Sequence, residues 1–380
     1  MLASVLLDEC RSAGIDFFAG VPDSFLKGLC DDLYARFGTD SPFHIVAHNE
    51  GGAVGLCAGH YIATGHPALC YMQNSGLGNA VNPLASLTDS KVYGIPLLLV
   101  IGWRGEPGTK DEPQHITQGQ ITLQQLDLLN IPYRILSADT SPDSFRSDFS
   151  FLASVLNTRR PAALVIRKGA VVPSYHPSYE NAYAMTREHA AEIILSFVSG
   201  TDLVVSTTGK LSREIFEIRE RNSQPHYGDF LTVGSMGHAS MIALGMSESL
   251  PGRRIWCLDG DGAVLMHLGT LALIGRRKPD GLIHIVINNG AHETVGGMPV
   301  CSGMLNLCDL AKAAGYPVIL SADSEITLRD ALSSLSSFTG PVFLEIKCAC
   351  GARSDLGRPT IPPRDNLNDM MEFITKSSQF

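Results

Sequence analysis

With 380 residues the chain has room for two domains of ordinary size, and a hydrophobic fraction of 44% lets each bury a core. Acidic residues outnumber basic ones 38 to 29, a formal charge of −9; with no basic run and no aromatics interleaved with Arg or Lys, this argues against a nucleic-acid partner. No apolar run reaches membrane-spanning length, and Asp8, Glu9 and Arg11 interrupt the amphipathic start, so neither a span nor a secretion signal is expected.

The nine cysteines sit mostly in apolar stretches, as at Cys57, Cys70 and Cys257, and the one close pair, Cys348 and Cys350, lacks a second pair for a zinc site. A soluble enzyme of the reducing cytoplasm is the expectation.

In chain order, residues 4–13 read as a helix and 16–20 as a strand ending at Val21-Pro22-Asp23-Ser24, where Asp23 or Ser24 can cap the next helix. A strand over 44–47 closes at His48-Asn49-Glu50-Gly51-Gly52, and small residues over 53–63 suggest a helix of low bulk. Residues 69–72 lead to Asn74-Ser75-Gly76, a Gly-rich turn before another helix. The apolar strand 95–101 opens into a segment, 102–118, that holds Arg104, Lys110 and His115 among Gly and Pro and reads as a charged loop. Strands alternating with helices imply a parallel sheet covered on both faces.

Pattern lapses over 168–186, where Pro173, Ser174, Pro177 and Ser178 cluster, which divides the chain into a domain at 1–170, a linker at 171–186 and a domain at 187–380. A second α/β series follows, with strands over 203–206, 230–233, 255–258, 282–287, 317–320 and 342–346, and a last helix over 368–375. The fold class expected is two doubly wound parallel-sheet domains.

The most informative stretch is 255–297. An apolar run stops at Asp259-Gly260-Asp261-Gly262, helical spacing follows over 263–274, and a second apolar run halts at Asn288-Asn289-Gly290. Two buried strands joined by a helix are parallel, so both polar clusters fall at the C-terminal edge of one sheet, where open α/β sheets bind ligands. Asp261 and Asn289 offer hard oxygen ligands, and a carbonyl just beyond Asn289 a third, a set suited to Mg²⁺ with phosphate oxygens. Gly260, Gly262 and Gly290 let backbone approach the ligand. Asp-Gly and Asn-Gly pairs are also ordinary turn signals, but here one leads into a helix and the other ends a buried strand.

Gly260-Asp261-Gly262, the spacer and Asn288-Asn289 resemble the cofactor motif of the thiamin-diphosphate-dependent 2-oxo acid decarboxylase family. The resemblance covers nearly the whole chain, as a pyrimidine-binding domain followed by a diphosphate-binding domain with no room for a middle one. It implies that Asp261, Asn289 and the Ala291 carbonyl hold the metal that clamps the diphosphate. It further implies that Glu50 bonds the pyrimidine ring and promotes the tautomer that deprotonates the thiazolium, that Met236 bends the cofactor, and that the Gly234 carbonyl accepts from its amino group. The thiazolium would accept electrons as carbon dioxide leaves.

Gly20 to Ser24, Asn74 to Gly76, the Arg104 segment, the run after Gly290 and the segment 353–359 most resemble the branch acting on 3-phosphonopyruvate in phosphonate biosynthesis, or on sulfopyruvate. For the anionic substrate the candidates are Ser24, Asn74, Arg104, Lys110, His115 and His292. Both domains in one chain favours phosphonopyruvate, since sulfopyruvate enzymes are often split. A homodimer or higher homo-oligomer with active sites between chains is implied, without nucleic-acid or membrane partners. A catalytically silent homologue is the other reading, against which Glu50, Asp261 and Asn289 stand intact.

Overall fold

The computed structural model describes residues 1–39 and 41–377. Backbone packing separates two compact units, Met1–Ser178 and Tyr179–Phe380.

In the first unit the strands are β1 (Phe18–Gly20), β2 (His44–Val46), β3 (Ala68–Gln73), β4 (Leu97–Gly102), β5 (Tyr133–Leu136) and β6 (Ala162–Ile166), all parallel in the order β2-β1-β3-β4-β6-β5. β4 and β6 are buried at every position because helices cover both faces, which explains their unbroken apolar sequence. The connections after β1 and β3 run in opposite directions, so the crevice between their carboxyl ends is the switch point of this sheet.

Two helices begin where the sequence pattern does not place them. The helix Glu50–Thr64 starts a turn earlier than expected, because Asn49 accepts from Gly52 N at 2.7 Å and caps it; Gly65, at φ 75°, ends it. The helix Pro113–Leu128 occupies the latter part of the segment read as a loop, with Pro at its first position. Residues 167–186 form no helix or regular strand, although Val172 bridges Leu2 and Ala170 accepts from the N-terminal ammonium.

The second unit contains β7 (Leu203–Ser206), β8 (Asp229–Leu231), β9 (Ile255–Gly260), β10 (Leu282–Asn288), β11 (Val318–Ala322) and β12 (Val342–Lys347), ordered β11-β12-β10-β9-β7-β8. Counted from its other edge this is the order of the first sheet, so the two units share a topology without a visible sequence repeat. Its switch point lies between β7 and β9.

The helix expected over 263–274 is two helices, Asp261–Met266 and Gly269–Arg277. The break falls at His267, at φ −132° and ψ 51°, whose ring stacks on His238 with centroids 4.4 Å apart. The last helix begins early, at Pro363, a residue preorganised for a first helical position. Among the described residues no helix is long and apolar enough to cross a membrane, and none of the nine cysteines forms a disulfide.

Candidate active site

In the second unit Asp261 and Asn289 do meet at one sheet edge. β9 and β10 pair in parallel with Ile287 opposite Gly260, so the residue after each strand emerges on the same side. Asp261 is 4% exposed, and its Oδ2 accepts from Gly290 N at 3.1 Å and from Ser302 Oγ at 2.5 Å. Burial pushes its pKa up to about 6, against the pull of Ser302 and the Gly262 and Gly290 amides. Asn289 is buried, its Oδ1 accepting from Ala291 N at 3.1 Å, and the Ala291 carbonyl lies within the following turn. Asn288, the other half of the pair, instead points its amide at Glu345 Oε1 at 2.7 Å and ties β10 to β12.

In the turn Gly234–Gly237 three residues have positive φ, which Gly234 and Gly237 adopt without strain and Ser235 only at a steric cost. A side chain on Gly262 would meet His292 Cε1 at 3.3 Å and Met236 Cε at 3.6 Å, so Met236 and His292 both crowd the first turn after Asp261. Gly234 N donates to Thr208 Oγ1 at 3.0 Å, joining this turn to the loop after β7.

Within the first unit, Glu50 is 5% exposed at the start of its helix; its Oε2 accepts from Asn79 Nδ2 at 2.9 Å. A Cβ on Gly76 would lie 2.5 Å from Glu50 Cγ, so the Asn74-Ser75-Gly76 turn can pass only because that residue has no side chain. Ser24, Asn74 and Arg104 come together. Arg104 Nη1 donates to Ser24 Oγ at 2.9 Å, and Asn74 exchanges bonds with the Arg104 backbone at 2.8 and 3.1 Å while also donating to Thr122. Lys110 is exposed and takes part in none of these hydrogen bonds, and His115 is buried in the helix Pro113–Leu128. Burial, then Arg104, lower the His115 pKa to about 4, leaving a neutral ring at physiological pH.

Several residues at these edges are absent from the site candidates that the sequence offers, where Asp23 counts only as a helix cap, the role that its bond to Phe25 N bears out. Asp23 is fully buried at the first switch point, accepting from Gln73 Nε2 at 2.5 Å and Phe25 N at 2.9 Å, and burial raises its pKa. Glu293 joins three segments, accepting from Lys210 Nζ at 2.9 Å and Gly351 N at 2.8 Å beside Asn289. Thr207 flanks Gly260 across the second switch point. Asp23 and Thr207 could have been found from their strand-end positions; Glu293 carries no signal beyond its nearness to Asn289. Arg353, in the segment singled out from sequence, is committed to Glu188, Glu217 and Asp355 in a surface network.

Residues 1–128 match the thiamine pyrophosphate enzyme N-terminal TPP binding domain, and residues 207–346 the C-terminal TPP binding domain. The chain is 33% identical to phosphonopyruvate decarboxylase of Streptomyces viridochromogenes, over 98% of its own length and 95% of that protein. Phosphonopyruvate decarboxylase of Streptomyces hygroscopicus is 32% identical, covering 98% and 94%. Sulfopyruvate decarboxylase of Methanosarcina acetivorans is 26% identical over 94% of this chain and 93% of that one. Since this last relative also spans both domains in one chain, fusion does not separate the two substrates.

Proposed function

The chain belongs to the thiamine pyrophosphate enzymes, and from that premise we propose that it decarboxylates 3-phosphonopyruvate to phosphonoacetaldehyde and carbon dioxide, using thiamin diphosphate and Mg²⁺. The observation that carries the substrate is the near full-length similarity to phosphonopyruvate decarboxylases at 32 to 33% identity, against 26% for the sulfopyruvate enzyme. Sulfopyruvate decarboxylation is the second reading, favoured by that same full-length match.

The donor set fits the metal. One buried carboxylate among neutral oxygens leaves a divalent ion with residual positive charge, which a diphosphate completes. Asp261, Asn289 and the Ala291 carbonyl would hold Mg²⁺, and Gly260 and Gly262 would let the diphosphate approach. When bound, thiamin diphosphate supplies the electron sink for loss of the carboxyl group. Glu50 holds or releases a proton at Oε1, the oxygen other than the one fixed by Asn79. Gly234 offers its carbonyl and Met236 its bulk to orient the ring, which is mostly a proximity effect. Arg104, backed by Ser24, is the best placed of the basic candidates for the anionic head. Asn74 acts through the Arg104 backbone, and His292 lines the turn beside Gly262.

We also propose a homodimer or larger homo-oligomer in which one cofactor takes Glu50 from one chain and Asp261, Asn289 and Met236 from another. An aldehyde-coupled assay with purified protein, thiamin diphosphate and Mg²⁺ tests the reaction. Turnover of phosphonopyruvate well above sulfopyruvate and pyruvate is expected; preference for sulfopyruvate reverses the substrate, and no cofactor binding in equilibrium dialysis overturns the whole reading.

A further inference from the structure

The geometry points to Ser302 as a positioning residue that makes Asp261 a one-oxygen ligand and so favours Mg²⁺ over Ca²⁺. This inference rests on the thiamin-diphosphate reading above.

Ser302 is fully buried, and its hydroxyl donates to Asp261 Oδ2 at 2.5 Å; Gly290 N donates to the same oxygen at 3.1 Å. Both lone-pair directions of Oδ2 are thereby engaged. Among the described residues no side chain donates to Oδ1; the Gly262 amide, which also favours the ionised carboxylate, can engage at most one lone pair, so Oδ1 is the oxygen left for a cation.

An unrestrained carboxylate can turn to offer both oxygens. Ca²⁺, with six to eight ligands in flexible geometry, readily accepts that bidentate mode, whereas Mg²⁺ demands a near-octahedral set and takes oxygens singly. A carboxylate held by one oxygen therefore suits the smaller ion.

Ser302 does not reach this position by chance of rotamer. Residues 298–300 run back along 290–292, with His292 N donating to Met298 O and Val300 N to Gly290 O, both at 2.8 Å, and an antiparallel bridge from Ala291 to Pro299. The turn Cys301–Met304 then lays Ser302 against Asp261. The segment that delivers the hydroxyl is thus hydrogen-bonded to the loop that carries Asn289 and the Ala291 carbonyl, so all three proposed ligands share one support.

The experiment is a pair of titrations, Mg²⁺ and Ca²⁺, into metal-free protein saturated with thiamin diphosphate, followed by calorimetry so that turnover is not needed. In Ser302→Ala the Kd for Mg²⁺ should rise about tenfold or more, the scale seen when a group orienting a metal ligand is lost. The Kd for Ca²⁺ should change far less, so the preference for Mg²⁺ falls; Ser302→Thr, which keeps the hydroxyl, should retain it. Should Ser302→Ala not melt cooperatively, the ratio is read from Ser302→Cys, whose thiol fills the space but donates weakly. An unchanged ratio, or equal weakening of both ions, overturns the inference. Failure of the wild type to bind thiamin diphosphate with Mg²⁺ overturns the cofactor reading instead, and the two failures are distinguishable.

Discussion

Arg104 grips Asp111 through both carboxylate oxygens, Nε to Oδ2 at 2.8 Å and Nη2 to Oδ1 at 2.5 Å. The bidentate fork with which Arg usually holds an oxyanion is therefore already filled, and a substrate would meet the Nη1 edge beside Ser24. Burial raises the Asp111 pKa, but the hydrogen bond from Arg104 outweighs it and holds the carboxyl well below the usual range, so the pair stays ionised at neutral pH. Phe25 lies against the guanidinium, 4.8 Å from ring centroid to Arg104 Cζ.

Arg104→Ala should raise KM for phosphonopyruvate by at least about tenfold while moving KM for pyruvate little, since only the former loses a charged contact. Asp111→Asn should raise the same KM by a smaller factor, by releasing the side chain that it aims. The two effects should be non-additive in the double variant, because one residue acts through the other. Equal changes for both substrates would make Arg104 a structural residue of the loop.

How plainly the chain displays the proposed site varies from residue to residue, and the reasons are physical. Asp261 and Asn289 are legible because each follows an apolar strand, and a strand-helix-strand unit can place them only at one edge. The alternation of strands and helices likewise discloses two parallel sheets. Ser302 is illegible, since irregular chain separates it from Asn289 and only tertiary hydrogen bonding returns it to Asp261. His115 reads as part of a charged loop because its helix, Pro113–Leu128, is rich in Gln and Thr and buries Gly119 and Thr122 instead of a clear apolar stripe. The break at His267 depends on tertiary packing that no local period records.

The buried ring of His115 makes a pH prediction. Its folded pKa, about 4, lies below the reference 6.5, so the folded state resists the proton that the unfolded chain accepts. The stability associated with the neutral ring is present above the unfolded pKa and is lost as pH falls from there toward the folded one. Wild type should therefore lose more of its urea midpoint between neutral pH and about pH 5 than His115→Asn does. Parallel losses would show that this ring is not held neutral. A neutral ring is also a poor anion anchor, so the variant should leave the ratio of KM values for phosphonopyruvate and pyruvate close to wild type.

Asp261→Ala and Asn289→Ala should lose activity through metal affinity, each raising the Mg²⁺ Kd by one or more orders of magnitude in direct titration. Unaltered affinity for metal and cofactor in both variants would remove these residues from the site.

Glu50→Gln keeps the shape of the side chain but cannot ionise. Cofactor should still bind, whereas proton exchange at its thiazolium carbon, followed by NMR in deuterated water, should slow by orders of magnitude. Gly76→Ala offers an independent check, because its methyl group would press on Glu50 Cγ from 2.5 Å and displace the carboxylate without removing it. It should slow exchange less than Glu50→Gln does. Wild-type exchange in Glu50→Gln would remove Glu50 from the chemistry.

The oligomer can be tested by complementation. Glu50 lies in the first compact unit and Asp261 in the second, and the proposed chemistry requires one cofactor to use both. If each site draws its first unit from one chain and its second from another, a two-fold axis makes two equivalent sites per dimer. Mixing inactive Glu50→Gln with inactive Asp261→Ala, under conditions that exchange subunits, then produces mixed dimers. In each of these, one site inherits both substitutions and the other inherits neither. The intact site should restore activity approaching one quarter of wild type at full random exchange, since about half of all dimers are mixed and each has one working site of two. Differently tagged chains and native mass spectrometry would confirm that exchange occurred. If exchange is complete and the mixture stays inactive, both residues serve a site built within one chain, and the inter-chain arrangement is wrong.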